Sequence, residues 1–365
     1  MPKETAPTIM DSLVIVWAIA AKDILDALKN RVVLSMIIML SILLLVPKLL
    51  PYIFEQTQME LPIYDLGDSA WVTYIKNTPA LSVQELSTEQ ELRQALCGSI
   101  YPEIGLVLPP NFDQVTGEGN QVEFQGFACW SKRSQVPEVE AKLESLLSKS
   151  LGKAVKVNVE GNILYPPSDG GFYLSLATLN AIVMILIIGI FSVPNLLIEE
   201  KETKTIQALL VSPASISQVV IGKSLAGLIN ILVCAALIFI ISWVDVIHWD
   251  MVILFVIGSG IFSVALGLLL GSMFDRQVDM IGWITAIMLV LIGAVLIKAL
   301  NVDLPYLVRV ILPWVPSVSL AEIYRSAISE TISFIQVWTA FGSVLAISLV
   351  LYVLVTFIIR RQQVR

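Results

Sequence analysis

Few side chains in this sequence can do chemistry, and their spacing excludes most of it. The single histidine, His248, lies in Asp245-Val246-Ile247-His248-Trp249-Asp250, and the three cysteines, Cys97, Cys129 and Cys234, are widely separated. One histidine and scattered thiols do not assemble a zinc site of the usual kind, so no metal ligands are assigned. Without a second histidine there is no conventional nucleophile–base pair either. No Gly-x-x-x-x-Gly-Lys-(Ser/Thr) run is present, so the chain has no phosphate-cradling loop of its own for ATP. His248 reads instead as an interfacial residue beside Trp243 and Trp249, whose rings suit the headgroup level of a bilayer.

What remains is a charge cluster that can dock a partner. Glu199-Glu200-Lys201-Glu202-Thr203-Lys204-Thr205-Ile206-Gln207-Ala208-Leu209-Leu210-Val211-Ser212-Pro213 sits between two apolar runs, Phe172–Ile198 and Leu225–Val244, neither of which has a charged side chain. Each run is long enough to span a bilayer core, which needs ~20 apolar residues. The cluster is therefore a short polar link between two spans. Ile206, Leu209 and Leu210 share one helical face at i, i+3, i+4 spacing, with Glu and Lys on the others. Pro213 ends the pattern. An acidic start followed by an apolar stripe makes a small docking surface for a soluble protein.

The elements that position this link follow from composition. The chain has 365 residues, of which only 15% are charged, and a mean hydropathy of +0.81, which marks an integral membrane protein. Met1–Asp11 is polar and shows no cleavable-signal pattern. Six spans are expected: Val32–Ile53, Phe172–Ile198, Ser217–Val244, Met251–Phe274, Met280–Ile297 and Ile332–Ile359. Before them, residues 1–31 form a tail and an amphipathic helix. There Leu13, Val16, Trp17, Ala20, Ile24 and Leu28 alternate with Asp11, Lys22, Asp23, Asp26 and Lys29 as expected for a helix lying on the membrane. Basic residues of the short connections (Lys22, Lys29, Arg31, Lys201, Lys204, Arg276, Arg360, Arg361 and Arg365) fall on one side if there are six crossings, which puts both termini and the link in the cytoplasm.

The segment 54–170 is then outside. It holds 16 Asp+Glu against 8 Lys+Arg and mixes strand patterns (Leu61–Leu66, Ile104–Leu108, Gln121–Phe127, Ala154–Val159) with helical ones (Glu89–Cys97, Pro137–Leu151). At this length it can bury a core of its own. Cys97 and Cys129 both fall in it, and in an oxidising compartment they either pair or remain as buried packing. Residues 302–330 are too broken by Pro305, Pro313 and Pro316 to cross as one helix. They read as two short re-entrant helices or as an amphipathic surface loop. Ser263-x-x-x-Gly267-x-x-x-Gly271 lays small residues along one face of the fourth span, where helices can approach closely; packing within the chain is the plainer use. No basic patch suggests nucleic-acid binding.

Glu200-Lys201-Glu202, Thr205-Ile206, Leu209-Leu210 and Ser212-Pro213, followed by Gly222-Lys223, resemble the loop between the second and third spans of the ABC-2 type permeases, the membrane subunits of one class of ABC exporters. The likeness extends to the order of spans and to the large domain after the first, in the manner of the long-loop sodium- and drug-export permeases. It implies a polytopic α-helical fold with six transmembrane helices and an external α/β domain between the first two. It also implies an elbow helix before the first span and re-entrant helices before the last. By resemblance Glu199, Glu200, Glu202, Thr205, Ile206, Leu209, Leu210, Ser212 and Pro213 form the contact with a separate ATPase, on which ATP and Mg are bound, and this chain binds no cofactor. A second permease, identical or different, completes the path. The resemblance implies export across the cell membrane; an alternative is a non-transporting ABC module that relays a signal or force through its external domain.

Overall fold

The computed structural model describes residues 9–29, 59–98, 103–117, 121–165, 172–202, 215–242, 246–299, 305–329 and 332–363, with isolated helical residues between 31 and 42. Most of the expected first span, Val32–Ile53, and of the charged link, at residues 203–213, therefore lies outside the described residues.

Residues 59–165 fold as an α/β domain. Its elements in chain order are β1 (Met59–Asp65), α2 (Ala70–Lys76), β2 (Leu81–Leu86), α3 (Glu89–Gly98), β3 (Ile104–Leu108), α4 (Phe112–Gly117), β4 (Gln121–Cys129), α5 (Val136–Leu151), β5 (Ala154–Asn158) and β6 (Ile163–Leu164). The label α1 is kept for the helix Ile9–Lys29 that precedes them. The sheet order is β2-β1-β3-β4-β5, and β6 adds to β4 beyond β5. Strands β1, β2 and β3 are parallel, β4 runs antiparallel to β3, and β5 and β6 are parallel to β4. Both faces are covered, as parallel strands require. One face packs Leu61, Ile63 and Phe124 under Val72 and Ile75 of α2 and Leu143 and Leu147 of α5. The other packs Tyr64, Val107 and Phe127 under Leu92 and Leu96 of α3. There Cys97 and Cys129 are joined by a disulfide, with Cα atoms 5.2 Å apart.

The helix α2 and the strand β2 do not stand out in the sequence. Ala70-Trp-Val-Thr-Tyr-Ile-Lys is rich in β-branched and aromatic residues, which favour strands; its helix is set by the Ser69 side chain, which accepts a hydrogen bond from Trp71 N. Strand β2 lies at the sheet edge and carries Gln84 and Glu85, so its apolar alternation is incomplete.

The rest is a helical bundle: α6 (Phe172–Glu202), α7 (Ile216–Ser242), α8 (Trp249–Met273), α9 (Gln277–Ala299), α10 (Tyr306–Ile311), α11 (Pro316–Ile328) and α12 (Phe334–Gln363). Among the described residues five helices are long and apolar enough to cross a membrane, or six if the bent pair α10–α11 counts as one span. The bend is 69° between Tyr306–Trp314 and Pro316–Ile328; the first arm ends in a short 3-10 turn, Leu312–Trp314, Val315 is extended, and Pro313 and Pro316 cannot continue a helix's hydrogen bonds. Helix α11 is sunk into the bundle, with Tyr324 against Phe255 of α8 at 5.0 Å between ring centroids. By contrast, Leu307 and Ile311 of α10 and Trp314 in the turn remain exposed. The half-buried His248 caps α8, and the amides of Ile247 and His248 both donate to Ala327 O of α11, each at 3.0 Å.

Candidate functional site

The described residues around the charged link are its two roots. At the first root, α6 does not stop where the apolar run ends. It continues as helix through Glu199 and Glu200 to Glu202, so these three residues extend a long helix rather than open a separate one. Helix continuity is cheap here because Glu and Lys are good helix formers. Lys201, only 14% exposed in its side chain, turns back onto the end of α8. Its Nζ donates to Ser272 O at 3.2 Å, Phe274 O at 2.9 Å and Asp275 Oδ1 at 3.0 Å. Carbonyls at a helix C-terminus lack intrahelical partners and carry negative partial charge, so a lysine there satisfies both needs.

At the second root, α7 opens with a reciprocal cap. Gln218 N donates to Ser215 Oγ at 3.3 Å, and Ser215 N donates to Gln218 Oε1 at 2.8 Å, the Ser-x-x-Gln form of a capping box. Two turns on, Gly222 lets α1 approach. A Cβ added there would come within 2.9 Å of Ile19 Cβ and 3.1 Å of Val16 O. The next residue, Lys223, places Nζ 3.1 Å from Asp23 Oδ2 of α1, with side chains 6% and 5% exposed. Farther along, Asn230 Nδ2 donates to Ser192 Oγ of α6 at 2.9 Å. Asp23, Lys223, Ser192 and Asn230 line a small cavity together with Ala27, Val193, Ala226 and Gly227.

Reading α1 by periodicity put Asp23 with the polar residues on its solvated side. The structure corrects this: Ala20, Asp23 and Ala27 form the buried stripe, while Met10, Leu13, Val14 and Trp17 are exposed. The reason is steric. Ala20 and Ala27 are small enough to face inward, Gly222 makes room for Val16 and Ile19, and the larger apolar face is left for the surroundings.

The remaining site expectations divide by place. Thr205, Ile206, Leu209, Leu210, Ser212 and Pro213 lie outside the described residues. Ser263, Gly267 and Gly271 of α8 pack on α6. A Cβ on Gly267 would lie 2.8 Å from Gly189 O, and one on Gly271 would lie 3.0 Å from Pro194 Cα. The stripe thus serves helix contact within this chain. Cys97 and Cys129 lie in the α/β domain and belong to neither root of the link. Asp23, Ser192 and the partners of Lys201 were missed as site residues. The one available signal was a charge, Lys223, inside a helix that is otherwise uncharged.

Among the described residues the two roots bring together no reacting groups. The arrangement is a mechanical one: each end of the link is bolted by a lysine to a different neighbour, α8 at one end and α1 at the other.

The profile of the ABC-2 family transporter protein matches residues 32–357. The chain belongs to this family. The match takes in the whole α/β domain and every helix from α6 to α11, whereas α1 precedes it. This ABC-2 chain is therefore a membrane component of an ABC transporter. A search of the curated proteins gives no match to it.

Proposed function

We propose that this ABC-2 chain is the permease subunit of an exporter, driven by ATP that a separate ABC ATPase binds with Mg and hydrolyses. Residues 199–213 are the docking segment, with Ile206, Leu209 and Leu210 filling an apolar cleft on the ATPase. The observation that supports this reading most is the double rooting: a displacement of the link acts on α8 through Lys201 and on α1 through Lys223. A loosely tethered loop would dissipate the same push. The chain itself is non-catalytic. A second permease, identical or different, lines the path with it in the cell membrane, both termini being cytoplasmic. The disulfide of the α/β domain supports placing that domain outside, since disulfides persist in oxidising compartments. Apart from Lys223 near the start of α7, the middles of the long helices carry mild polar groups such as Asn230, which suit an amphipathic compound or lipid better than a bare ion; a peptide also fits.

The test removes the apolar stripe. Each large aliphatic side chain buried at such a contact is worth ~1.5–3 kcal/mol, so Ile206→Ala with Leu209→Ala abolishes ATPase capture in a pull-down. Reversing Glu200 or Glu202 alone does less, because exposed pairs contribute about 0–1 kcal/mol. Full capture and coupled ATPase activity in the double variant would sink the reading. Orientation is checked by thiol labelling of whole cells: Thr203→Cys stays unlabelled and Glu118→Cys reacts.

A second reading is favoured by one contact. Helix α3, which carries Cys97, touches α6, so the α/β domain could relay a ligand signal or force to the link without transport. Substrate-stimulated ATPase activity with export from vesicles supports the first reading; ATPase activity that follows the domain's ligand without export supports the second.

A further inference from the structure

The buried pair Asp23–Lys223 is a poor way to hold two helices together. Removing two charges from water carries a desolvation penalty that the attraction between them offsets only with good geometry, and well-packed apolar residues of similar volume often hold as well or better. What an ion pair does better is fix register, because its hydrogen-bonded contact, 3.1 Å between Lys223 Nζ and Asp23 Oδ2, forms only where the two side chains meet. The surroundings sharpen this. The buried residues of α1 on either side of Asp23, Ala20 and Ala27, are small and offer no other polar anchor, while Val16 and Ile19 pack on Gly222. Lys22 approaches Asp23 Oδ1 at 3.8 Å but is 46% exposed and belongs to α1 itself, so it does not tie the two helices. The Asn230–Ser192 bond then ties α7 to α6 on the other side of the same cavity.

We infer that Asp23 and Lys223 are positioning residues that lock the register of α1 on α7, so that α1 travels with the root of the link as one body. The permease reading is needed only to say what that travel is for; the lock itself stands on the geometry. A one-turn slip of α1 along α7, about 5.4 Å, would part Asp23 from Lys223, and this opposes sliding while leaving the exposed face of α1 unconstrained.

The experiment measures register apart from stability. Spin labels at Val14→Cys and Leu232→Cys, both exposed, with Cys234→Ala, report the α1–α7 distance in the full chain in nanodiscs without any ATPase. The parent and K223R, which keeps the charge pair, give a single distance population. The apolar variant D23L/K223L melts at or above the parent temperature and gains a second population displaced by about 5 Å, one turn. A single parental population in D23L/K223L overturns the lock, and so does a second population in K223R. Failure of D23L/K223L to fold while K223R folds also overturns it, because the pair would then be a source of stability rather than of register. None of these outcomes depends on whether the chain exports anything.

Discussion

The α/β domain and the helical bundle handle apolar side chains in opposite ways. In the domain Leu61, Ile63, Leu106 and Phe124 are fully buried, and the large exposed hydrophobics among its described residues are Leu66 and Tyr74. In the bundle Leu289 is 73% exposed, Ile335 80%, Leu349 65% and Val353 61%, all on helices long enough to cross a membrane. The domain must close its core against water, so it needs two layers of helix and a sheet. The bundle is solvated by something as apolar as its own leucines, and gains little by hiding them. Polar groups invert the rule. In the domain carboxylates and lysines are mostly exposed, whereas in the bundle Asp23, Lys223, Ser192 and Asn230 are turned inward and paired.

The sharpest way to break this comparison is to truncate equivalent apolar bulk in both regions. Phe124→Ala empties the centre of the domain core and costs about 3–5 kcal/mol; hydrogen exchange of the β3 and β4 amides in the full chain should quicken accordingly. Next comes Cys97→Ser with Cys129→Ser. A crosslink over a 32-residue separation restricts the unfolded chain by about 3–4 kcal/mol, so the same amides lose protection while those of α8 do not. Unchanged domain exchange in either variant would mean that the domain leans on the bundle for its stability.

A smaller effect is pH-dependent. Burial pulls Lys132 down from 10.5 to about 8, with the Glu103 carboxylate opposing the shift. Below pH 8 the folded and unfolded chains both hold the proton, and the burial penalty is present in full. Between about 8 and 10.5 only the unfolded chain holds it, so domain stability rises with pH by roughly 1–3 kcal/mol. Lys132→Met should lack this rise; a parallel rise in both proteins sinks the assignment. The smallest effect belongs to Leu349→Ala, whose side chain leaves no cavity in the protein. Its stability in nanodiscs changes by less than about 0.5 kcal/mol, and a larger loss would reveal that a protein partner rather than lipid covers that face.

The sequence by itself determined what depends on neighbours along the chain. Apolar runs of span length mark α6, α7, α8, α9 and α12 to within a few residues, because a bilayer demands length and hydropathy and little else. Alternation marks β1, β3, β4 and β5, and the prolines at 305, 313 and 316 mark the break before α12. Periodicity could not find α2, whose composition argues for strand, nor the edge strand β2, half of which faces water. Tertiary structure alone decided what joins distant residues. It set the order of the sheet, the seat of Ser263, Gly267 and Gly271 on Gly189 and Pro194, and the landing of Lys201 on the carbonyls that end α8. It also brought Asp23 to Lys223 across 200 positions. A charge in a sequence has no partner until the chain folds. Periodicity assigns it to water by default, and only packing shows when another charge has taken water's place.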